Sequence, residues 1–580
     1  MLKLDQLRTE IYSSQGIVVA VDGVSLTIEP GEIFALVGES GSGKSVTALS
    51  IARLLPDNAR IAYGDVLLGD VNLVELPERA MRNYRGRRVA MIFQEPGTSL
   101  NAVLTVGRQI IEVIETHTAL RGAAARAKAI DWLRRVGIPE PERRIDGYPF
   151  QMSGGQKQRV MIAIALAAEP ELLIADEPTT ALDVTVQKQI LDLLVDLQRE
   201  RGMAILLITH DLGVVAQVAD RVGIMYAGVL VEVAGTQSFF SRPLHPYATR
   251  LLGALPDVDK RGRALEAIAG SVPPLFQAFT GCRFAPRCYS ATERCRDEVP
   301  PMYALAEGHV VRCFAYSPTD AVPLVAPPER VIAETAVANA VESETLLSVH
   351  NLRVRFPIHS GLLQRVTGYV DAVHDVSFEL RPGQTLALVG ESGSGKTTAA
   401  KAILQLLRGS AVVGGSARLG RTELMTAGHR DLHEARRQIQ IIFQDPYGSL
   451  NPRMRVGEIL EEGILSLQPD VVAAERRSRI LALLDKVGLP EGALTKYPHE
   501  FSGGQRQRIA ISRALAVEPR LIICDEPTSA LDVSVQAQIL NLLMDLQSEL
   551  GVAYLFITHN IGVVEYLADH VAVMQAGRIV

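Results

Sequence analysis

The sequence predicts an α/β protein in which one domain occurs twice in tandem. Five short motifs occur twice in the same order. The longest apolar runs, such as Ala204–Ile208 and Tyr554–Ile557, have the length of buried strands and not of membrane spans. In each copy, one such strand leads through a glycine-rich loop into a stretch that suits a helix. Together these observations predict two α/β domains.

The duplication forms one long internal alignment. Lys44 and Lys396 stand 352 residues apart, Gln94 and Gln444 stand 350 apart, and the last three motif pairs stand 349 apart. So little drift over five motifs excludes coincidence, and two copies are too few for a repeat array. The motif pairs are GESGSGKS and GESGSGKT (Gly38–Ser45, Gly390–Thr397), IFQEP and IFQDP (Ile92–Pro96, Ile442–Pro446), SGGQKQR and SGGQRQR (Ser153–Arg159, Ser502–Arg508), DEPTTALD and DEPTSALD (Asp176–Asp183, Asp525–Asp532), and ITH twice (Ile208–His210, Ile557–His559).

The motifs divide the chain into four regions. We expect a first domain at residues 1–255, a cysteine-containing extension at 256–316, a flexible linker at 317–345 and a second domain at 346–580. The linker is rich in Ala, Val, Pro and Glu, which is typical of a semi-extended chain.

The composition indicates a globular protein. Of the 580 residues, 47% are hydrophobic and 21% charged, an ordinary balance. The net charge of −6 lacks the basic excess of nucleic-acid-binding domains, so we expect no nucleic-acid partner. The chain opens without a charged and then apolar leader, and no apolar run reaches about 18 residues. We therefore expect neither a secretory signal nor a membrane span.

Both glycine-rich loops match the phosphate-binding pattern GxxxxGK[ST]. Glycines let backbone N–H groups turn inward onto phosphate oxygens, and the next helix adds its positive N-terminal end. The lysine is expected to contact the β- and γ-phosphates of ATP, and the Ser or Thr to place a hydroxyl on Mg²⁺. A chance Gly/Ser-rich turn could explain one match but not two in context. The predicted nucleotide-binding residues are Gly38, Gly41, Gly43, Lys44, Ser45 and Thr47 in one copy and Gly390, Gly393, Gly395, Lys396, Thr397 and Thr398 in the other.

Two further apolar strands each end in a pair of acids. These are Asp176 with Glu177, and Asp525 with Glu526. One carboxylate at the end of a buried strand can hold Mg²⁺, and its neighbour can orient or deprotonate an attacking water. The alternative is a solvated pair of acids at a helix start, which is the weaker interpretation beside a phosphate loop.

The combination of these motifs resembles the ATP-binding cassette (ABC) ATPases. SGGQ separates this family from other phosphate-loop enzymes, and the resemblance covers nearly the whole chain outside the linker. It implies two tandem P-loop NTPase domains, each with a RecA-like core, a helical subdomain and an antiparallel β-subdomain. It also implies that the two domains pair head to tail within the chain, with each ATP between one phosphate loop and the other domain's SGGQ.

The resemblance also implies roles for single residues. Glutamate serves as the catalytic base, histidine holds the γ-phosphate, and glutamine senses Mg²⁺. The implied catalytic residues are Glu177, Glu526, His210, His559, Gln94 and Gln444, and the implied Mg²⁺ ligands are Ser45, Gln94, Asp176, Thr397, Gln444 and Asp525. The implied ATP contacts outside the loops are Ser153, Gly154, Gly155, Gln156, Ser502, Gly503, Gly504 and Gln505 of SGGQ, with Asp183 and Asp532 in the loop that links the two sites. Neither copy lacks a catalytic residue, so we expect two hydrolysing sites.

The family stacks an aromatic residue on adenine from an early strand. Phe356 fits this role in the second copy. In the first copy the matching position is Ile11, with Tyr12 next to it. Because successive strand residues face opposite sides, Tyr12 is a candidate whose orientation the sequence leaves open.

Several features resemble the importers of dipeptides, oligopeptides, glutathione or nickel. These are QEPGTSLN, QDPYGSLNP, PLHPY at Pro243–Tyr247 and a fused layout without a membrane domain. The resemblance implies two integral-membrane permease subunits, an extracytoplasmic substrate-binding protein and a peripheral location at the cytoplasmic face of the inner membrane. The alternative is a non-transport tandem cassette ATPase of translation or DNA repair. An ATP-binding regulatory module without turnover is opposed by the intact Glu177 and Glu526.

Four of the five cysteines, Cys282, Cys288, Cys295 and Cys313, cluster in the extension. Their spacing is neither a familiar ferredoxin pattern nor that of a zinc ribbon. The importer branch has a similar segment that can hold a [4Fe–4S] cluster. An iron–sulfur cluster, zinc and inert thiols therefore remain open, with the cluster preferred. Cys524 lies in an apolar strand and suits a small buried side chain.

Overall fold

The computed structural model describes residues 1–14, 16–179, 184–305, 308–325, 345–360, 365–529 and 531–580. They form two compact units. The first comprises Met1–Gly253 with Ile268–Pro328, and the second comprises Ala254–Ala267 with Glu329–Val580. Each unit has its own buried apolar core, as the duplicated motifs predict.

The first unit contains two sheets with helices packed on them. Its strands are β1 (Leu2–Ser13), β2 (Gly16–Ile28), β3 (Ile33–Val37), β4 (Ala59–Leu68), β5 (Val71–Asn72), β6 (Val89–Ile92), β7 (Leu172–Asp176), β8 (Ala204–Ile208), β9 (Arg221–Tyr226), β10 (Val229–Gly235), β11 (Tyr303–Ala304) and β12 (Val310–Val311). Its helices are α1 (Lys44–Ala52), α2 (Glu78–Met81), α3 (Pro96–Ser99), α4 (Val106–His117), α5 (Gly122–Arg135), α6 (Pro141–Arg144), α7 (Gly154–Leu166), α8 (Val184–Arg201), α9 (Leu212–Val218), α10 (Thr236–Ser241), α11 (Pro246–Gly253) and α12 (Glu293–Asp297).

The second unit repeats this plan. Its strands are β13 (Leu347–Ser360), β14 (Arg365–Leu380), β15 (Thr385–Val389), β16 (Val412–Leu419), β17 (Thr422–Glu423), β18 (Ile439–Ile442), β19 (Leu521–Asp525), β20 (Ala553–Ile557), β21 (His570–Gln575) and β22 (Arg578–Ile579). Its helices are α13 (Lys396–Ile403), α14 (His429–Gln438), α15 (Pro446–Ser449), α16 (Val456–Leu467), α17 (Ala473–Lys486), α18 (Gly503–Leu515), α19 (Val533–Leu550) and α20 (Ile561–Leu567).

Sheet topology is the same in both units, except that β11 and β12 extend the larger sheet of the first. The antiparallel sheets have the orders β2–β1–β4–β5 and β14–β13–β16–β17. The larger sheets have the orders β6–β7–β8–β3–β9–β10–β12–β11 and β18–β19–β20–β15–β21–β22, with parallel pairing from β6 to β9 and from β18 to β21. Because parallel strands end at one common edge, the loops that follow β3, β7 and β8 meet there.

Buried apolar residues explain why these segments form strands and helices. All five residues of β3 (IFALV) and of β7 (LLIAD) are buried, as in a parallel strand covered on both faces. The helical subdomain α4–α7 packs around Trp132, which is 1% exposed. The structure thus confirms the α/β class with antiparallel and helical subdomains.

Residues 268–316 of the cysteine-bearing extension belong to the first unit, and their strands β11 and β12 join its larger sheet. β12 pairs with β10, through Glu232 with Val311 and Val233 with Val310. The fully buried Glu232 accepts hydrogen bonds from the backbone of Leu244 and His245, at 2.9 and 2.7 Å. This carboxylate fixes the PLHPY segment against the sheet.

The short segment Ala254–Ala267 packs within the second unit. The side chain of Asn541 on α19 accepts from the Leu265 backbone N–H (3.0 Å) and donates to the Leu265 carbonyl (2.9 Å). The Tyr566 hydroxyl on α20 donates to the Arg263 carbonyl at 2.8 Å. A segment that precedes the second cassette in sequence therefore covers α19 and α20. In the described residues, no helix combines the length and the apolarity that a membrane crossing requires.

Candidate functional site

Both phosphate loops have the geometry that the sequence predicts. Gly43 and Gly395 precede α1 and α13 with φ of 99° and 100°, in the left-handed region that favours glycine. A Cβ on Gly43 would lie 2.3 Å from the Ala20 carbonyl oxygen, and one on Gly395 would lie 2.4 Å from that of Ala372. Backbone conformation and close packing therefore both require glycine at these positions.

The lysine of each loop lies across the loop's own carbonyl groups. The Lys44 ammonium donates to the carbonyl oxygens of Gly38 (2.7 Å) and Glu39 (3.0 Å). Lys396 donates to the matching carbonyls of Gly390 and Glu391, both at 2.8 Å. An anionic phosphate oxygen is a stronger acceptor for an ammonium group than a neutral carbonyl oxygen is, so the lysines are poised to bind an anion at the loop.

A hydroxyl and a buried carboxylate lie together beside each loop. Ser45 donates to Asp176 at 3.1 Å, and Thr397 donates to Asp525 at 2.8 Å. Burial raises the pKa of Asp176 and Asp525, against the hydrogen bond from the hydroxyl. Oxygen donors of this kind suit Mg²⁺, which takes one or two carboxylates together with substrate phosphates. The residues present therefore fit Mg²⁺.

The predicted catalytic residues of each unit contact one another. Glu177 accepts a hydrogen bond from Gln94 at 2.9 Å and lies 3.2 Å from His210 Nδ1. In the second unit the corresponding distances are again 2.9 Å from Gln444 and 3.2 Å from His559, both to Glu526. The agreement between the two units shows that both contain the same Gln–Glu–His arrangement.

A backbone conformation shared by both glutamates, and a lowered pKa in Glu526, agree with the predicted catalytic role. Their backbone φ values are 49° for Glu177 and 47° for Glu526, a left-handed conformation that costs a non-glycine residue roughly 1–3 kcal/mol and is concentrated at functional sites. Burial raises the pKa of Glu526, but His559, Lys396 and Gln444 lower it by more, so the net pKa is below its ordinary value. An ionised carboxylate at this place can orient a water for attack.

The SGGQ residues open helices α7 and α18. Ser153 and Gln156 cap α7 reciprocally, through Ser153 Oγ to the Gln156 N–H (3.3 Å) and Gln156 Oε1 to the Ser153 N–H (3.2 Å). Ser502 and Gln505 form the same capping box on α18, and Gly154, Gly155, Gly503 and Gly504 form the first turns. Both serines are exposed, so two long helices present their positive N-terminal ends to the surroundings.

Four further residues were predicted to contact ATP, namely Thr47, Thr398, Asp183 and Asp532. Thr47 is fully buried and its hydroxyl donates to the Gly43 carbonyl at 2.9 Å, so the structure does not bring it to the loop's ligand side. By position it corresponds to Ala399, and Thr398 corresponds to Val46. Asp532 is the N-cap residue of α19. Asp183 lies outside the described residues.

The two candidates for adenine stacking differ in their surroundings. Phe356 is partly buried against the second unit's core. Tyr12 is 39% exposed, and the Arg60 guanidinium lies 5.2 Å from its ring centre. In the strand pairing, Ile11 lies opposite Val18 and Phe356 lies opposite Val370. Val18 and Val370 occupy matching positions in the two copies, so Ile11 is the counterpart of Phe356. Stacking by either aromatic residue stays a prediction.

The four clustered cysteines line one cavity in the first unit. His245, Phe284 and Phe314 also line it. Burial raises the pKa of Cys282 to about 11 and of Cys313 to about 12. In the described residues, no group of three or more His, Cys, Asp or Glu side chains is arranged to hold a single metal ion. That the four thiols share one cavity is all the support that the described residues give to the iron–sulfur prediction.

An ion pair between the first phosphate loop and the extension was not predicted from the sequence. The Arg287 guanidinium donates to both carboxylate oxygens of Glu39, at 2.6 and 3.1 Å. The only signal in the sequence was a pair of arginines inside the cysteine-rich stretch GCRFAPRC.

A phosphate loop, a strand-end carboxylate and a Gln–Glu–His group define a P-loop NTPase, and the comparisons with known proteins identify the family. The family described as ABC transporter matches residues 21–180 and 373–529. The chain therefore belongs to the ABC transporter family, as one of its ATPases. The family described as Oligopeptide/dipeptide transporter, C-terminal region, matches residues 231–295.

Curated relatives resemble the chain over nearly its whole length. The oligopeptide transport ATP-binding protein OppD of Mycobacterium tuberculosis is 44% identical, over 100% of this chain and 94% of the relative. The peptidoglycan transport ATP-binding protein YejF of Agrobacterium fabrum is 43% identical, over 100% and 92%. The glutathione import ATP-binding protein GsiA of Salmonella typhimurium is 46% identical, over 97% and 82%.

Proposed function

We propose that this protein hydrolyses ATP at two sites to drive the uptake of peptides, either di- and oligopeptides or glutathione, through separate permease subunits. The observation that carries the proposal is the Gln–Glu–His arrangement, which occurs with the same distances beside both phosphate loops. The substrate class is taken from relatives named for oligopeptide transport and glutathione import. A role in translation or DNA repair has no comparable support.

In the proposed reaction, Glu177 and Glu526 orient and deprotonate the attacking water. Lys44 and Lys396 neutralise charge on the phosphates, and the histidines contact the γ-phosphate. Ser45 with Asp176, and Thr397 with Asp525, would hold Mg²⁺, which would supply further charge stabilisation. Positioning and charge neutralisation account for nearly all of the catalysis, because phosphoryl transfer needs little covalent chemistry from the protein.

We propose that the two cassettes pair head to tail within the chain. The exposed N-termini of α7 and α18 support this pairing, because each offers backbone N–H groups and a positive helix end to an anion. Each ATP would then contact Lys44 and Ser502 at one site, and Lys396 and Ser153 at the other.

We further propose two integral-membrane permeases and an extracytoplasmic substrate-binding protein as partners, with the ATPase at the cytoplasmic face of the membrane. The ATP-binding proteins among the relatives support a division of labour in which the channel lies in other chains. Purification from membranes in mild detergent, followed by mass spectrometry, tests this. Two polytopic subunits and a secreted binding protein are expected, whereas ribosomal or DNA-repair proteins would overturn the transport proposal and leave the ATPase assignment intact.

The cysteine-lined cavity is proposed to hold the [4Fe–4S] cluster that the family resemblance implies. Four cysteine thiolates are the usual ligand set of such a cluster, and here four thiols face one cavity. Anaerobic purification with assays of iron and acid-labile sulfide should give about four of each per chain. Zinc alone, or thiols that all react with an alkylating reagent, would contradict the cluster.

A further inference from the structure

The first phosphate loop carries a buried carboxylate. The Glu39 side chain is 5% exposed, although the same residue of the second loop, Glu391, is exposed. A buried carboxylate next to a site for a polyphosphate repels that ligand, unless a cation offsets its charge.

Arg287 supplies that cation. Its guanidinium, also 5% exposed, forms a bidentate pair with Glu39 and a further hydrogen bond to the Tyr226 hydroxyl at 3.2 Å. Its Nε donates to the Ala269 carbonyl at 2.9 Å. Burial lowers the pKa of Arg287, but the hydrogen bonds and charge of Glu39 raise it by more, so the guanidinium stays charged.

The same contact region reaches the cysteine-lined cavity. Tyr226 packs against Tyr247 and Phe284, with ring centres 4.7 and 5.2 Å apart. The Tyr247 hydroxyl accepts a hydrogen bond from the Glu39 backbone N–H at 2.9 Å. Phe284 lines the cavity, and Cys288 follows Arg287 directly in sequence. Tyr247, which packs against the extension, therefore holds the backbone of Glu39. Arg287, which belongs to the extension, holds its side chain.

We propose that Arg287 is a positioning residue of the first ATP site, which cancels the charge of Glu39 and makes ATP binding there depend on the extension. The two loops share their backbone geometry, with φ of 99° at Gly43 and 100° at Gly395. The loop shape is therefore independent of the ion pair, which instead controls the local charge. The inference rests on the proposed ATPase function and adds a difference between the two sites.

Equilibrium binding of ATP to the full chain tests this, with one loop silenced at a time. In a Lys396→Ala background, which reports on the first loop, Arg287→Ala should weaken binding about 10-fold, a typical coupling between neighbouring sites. In a Lys44→Ala background the same substitution should change nothing. Arg287→Lys should restore binding in part, because lysine keeps the charge but loses the bidentate geometry.

The decisive variant is the double substitution Arg287→Ala with Glu39→Gln. Removing the carboxylate should restore most of the lost affinity, because no charge is then left without a partner. Arg294→Ala, an arginine of the same extension paired with the exposed Glu298, is the matched control and should bind ATP normally. An Arg287→Ala defect that Glu39→Gln does not rescue, that is equal at both loops or that is absent would overturn the inference. Absence of ATP binding by the unaltered loops would instead refute the proposed function.

Discussion

The two phosphate loops have the same first seven residues but different surroundings. GESGSGK follows a buried strand in both cassettes, and both lysines bind the same two loop carbonyls. Around the first loop, Arg287 of the extension and Tyr247 of α11 contact Glu39. The corresponding Glu391 is exposed. The interior of a duplicated domain has kept its chemistry, whereas its surface differs where a segment attaches to one copy.

Helices α19 and α20 show the opposite difference between the cassettes. Here it is the second cassette that is covered by an attached segment. In the second cassette, Asn541 and Tyr566 are buried under the segment Ala254–Ala267. Their counterparts in the first cassette, Asp192 and Gln217, are exposed. Experiments on matched pairs of residues can therefore separate the shared chemistry from the unshared surface.

The largest expected effect concerns the shared chemistry. Glu177→Gln and Glu526→Gln should each slow hydrolysis at their own site by roughly 10²–10⁴-fold, the usual contribution of a general base. Because the two glutamates have the same contacts, the losses should match. Single-turnover hydrolysis of radiolabelled ATP measures this, and the double variant should retain ATP with Mg²⁺. A large loss in one variant only would show that the sites differ in chemistry and not in surroundings alone.

The loop lysines test whether the two sites work together. Lys44→Ala and Lys396→Ala should each lower steady-state turnover by about 10²-fold, the cost of removing a preorganised charge donor. Independent sites would lose only about half of the total turnover. Near-normal turnover in both variants would contradict the two-site proposal.

Short-range features of the sites could be predicted from the sequence. Each phosphate loop is identified by its eight residues together with the strand before it and the helix after it. The roles expected of Ser45, Asp176 and Glu177 came from the motifs, and those of Gln94 and His210 came from the family resemblance. The fold then brings these residues together at the common edge of the parallel strands.

Contacts between residues far apart in sequence, and the surroundings of single side chains, could not be predicted. Glu39 and Arg287 are 248 residues apart, and Asn541 and Leu265 are 276 apart; such contacts depend on tertiary packing that no local pattern encodes. Thr47 was predicted to contact nucleotide. Its side chain is instead fully buried, and its hydroxyl donates to the Gly43 carbonyl four residues earlier in the chain.

A smaller effect is expected from the segment that covers α19 and α20. Asn541→Ala leaves the Leu265 N–H and carbonyl buried without these partners, which costs about 1–3 kcal/mol. Hydrogen exchange should show faster exchange in residues 254–267, and urea denaturation should show lower stability. Asp192→Ala at the exposed counterpart is the control and should stay within about 0.5 kcal/mol of the unaltered protein. Equal effects of the two substitutions would mean that Ala254–Ala267 adds nothing to the second unit.

We expect the PLHPY segment to make the stability of the first unit depend on pH. Burial, and then the charge of Arg312, lower the pKa of His245 from 6.5 to about 3. A histidine with a lowered pKa stabilises the fold fully above its unfolded pKa, and this stability is lost as the pH falls toward the folded value. Between pH 6.5 and about 3, the unfolded chain binds one more proton, so His245 should cost the first unit about 1.4 kcal/mol per pH unit.

His245→Asn isolates this contribution, because asparagine offers the Tyr247 N–H an acceptor and does not titrate. The variant will be less stable at pH 7, since it fills less space, but its stability should fall less steeply on acidification. Urea denaturation at half-unit steps from pH 7 to pH 5, followed by a probe in the first unit, measures that slope. His570→Asn, at an exposed histidine of the second unit, should leave the slope unchanged. Parallel curves for His245→Asn and the unaltered protein would mean that the buried imidazole does not make the first cassette more acid-sensitive.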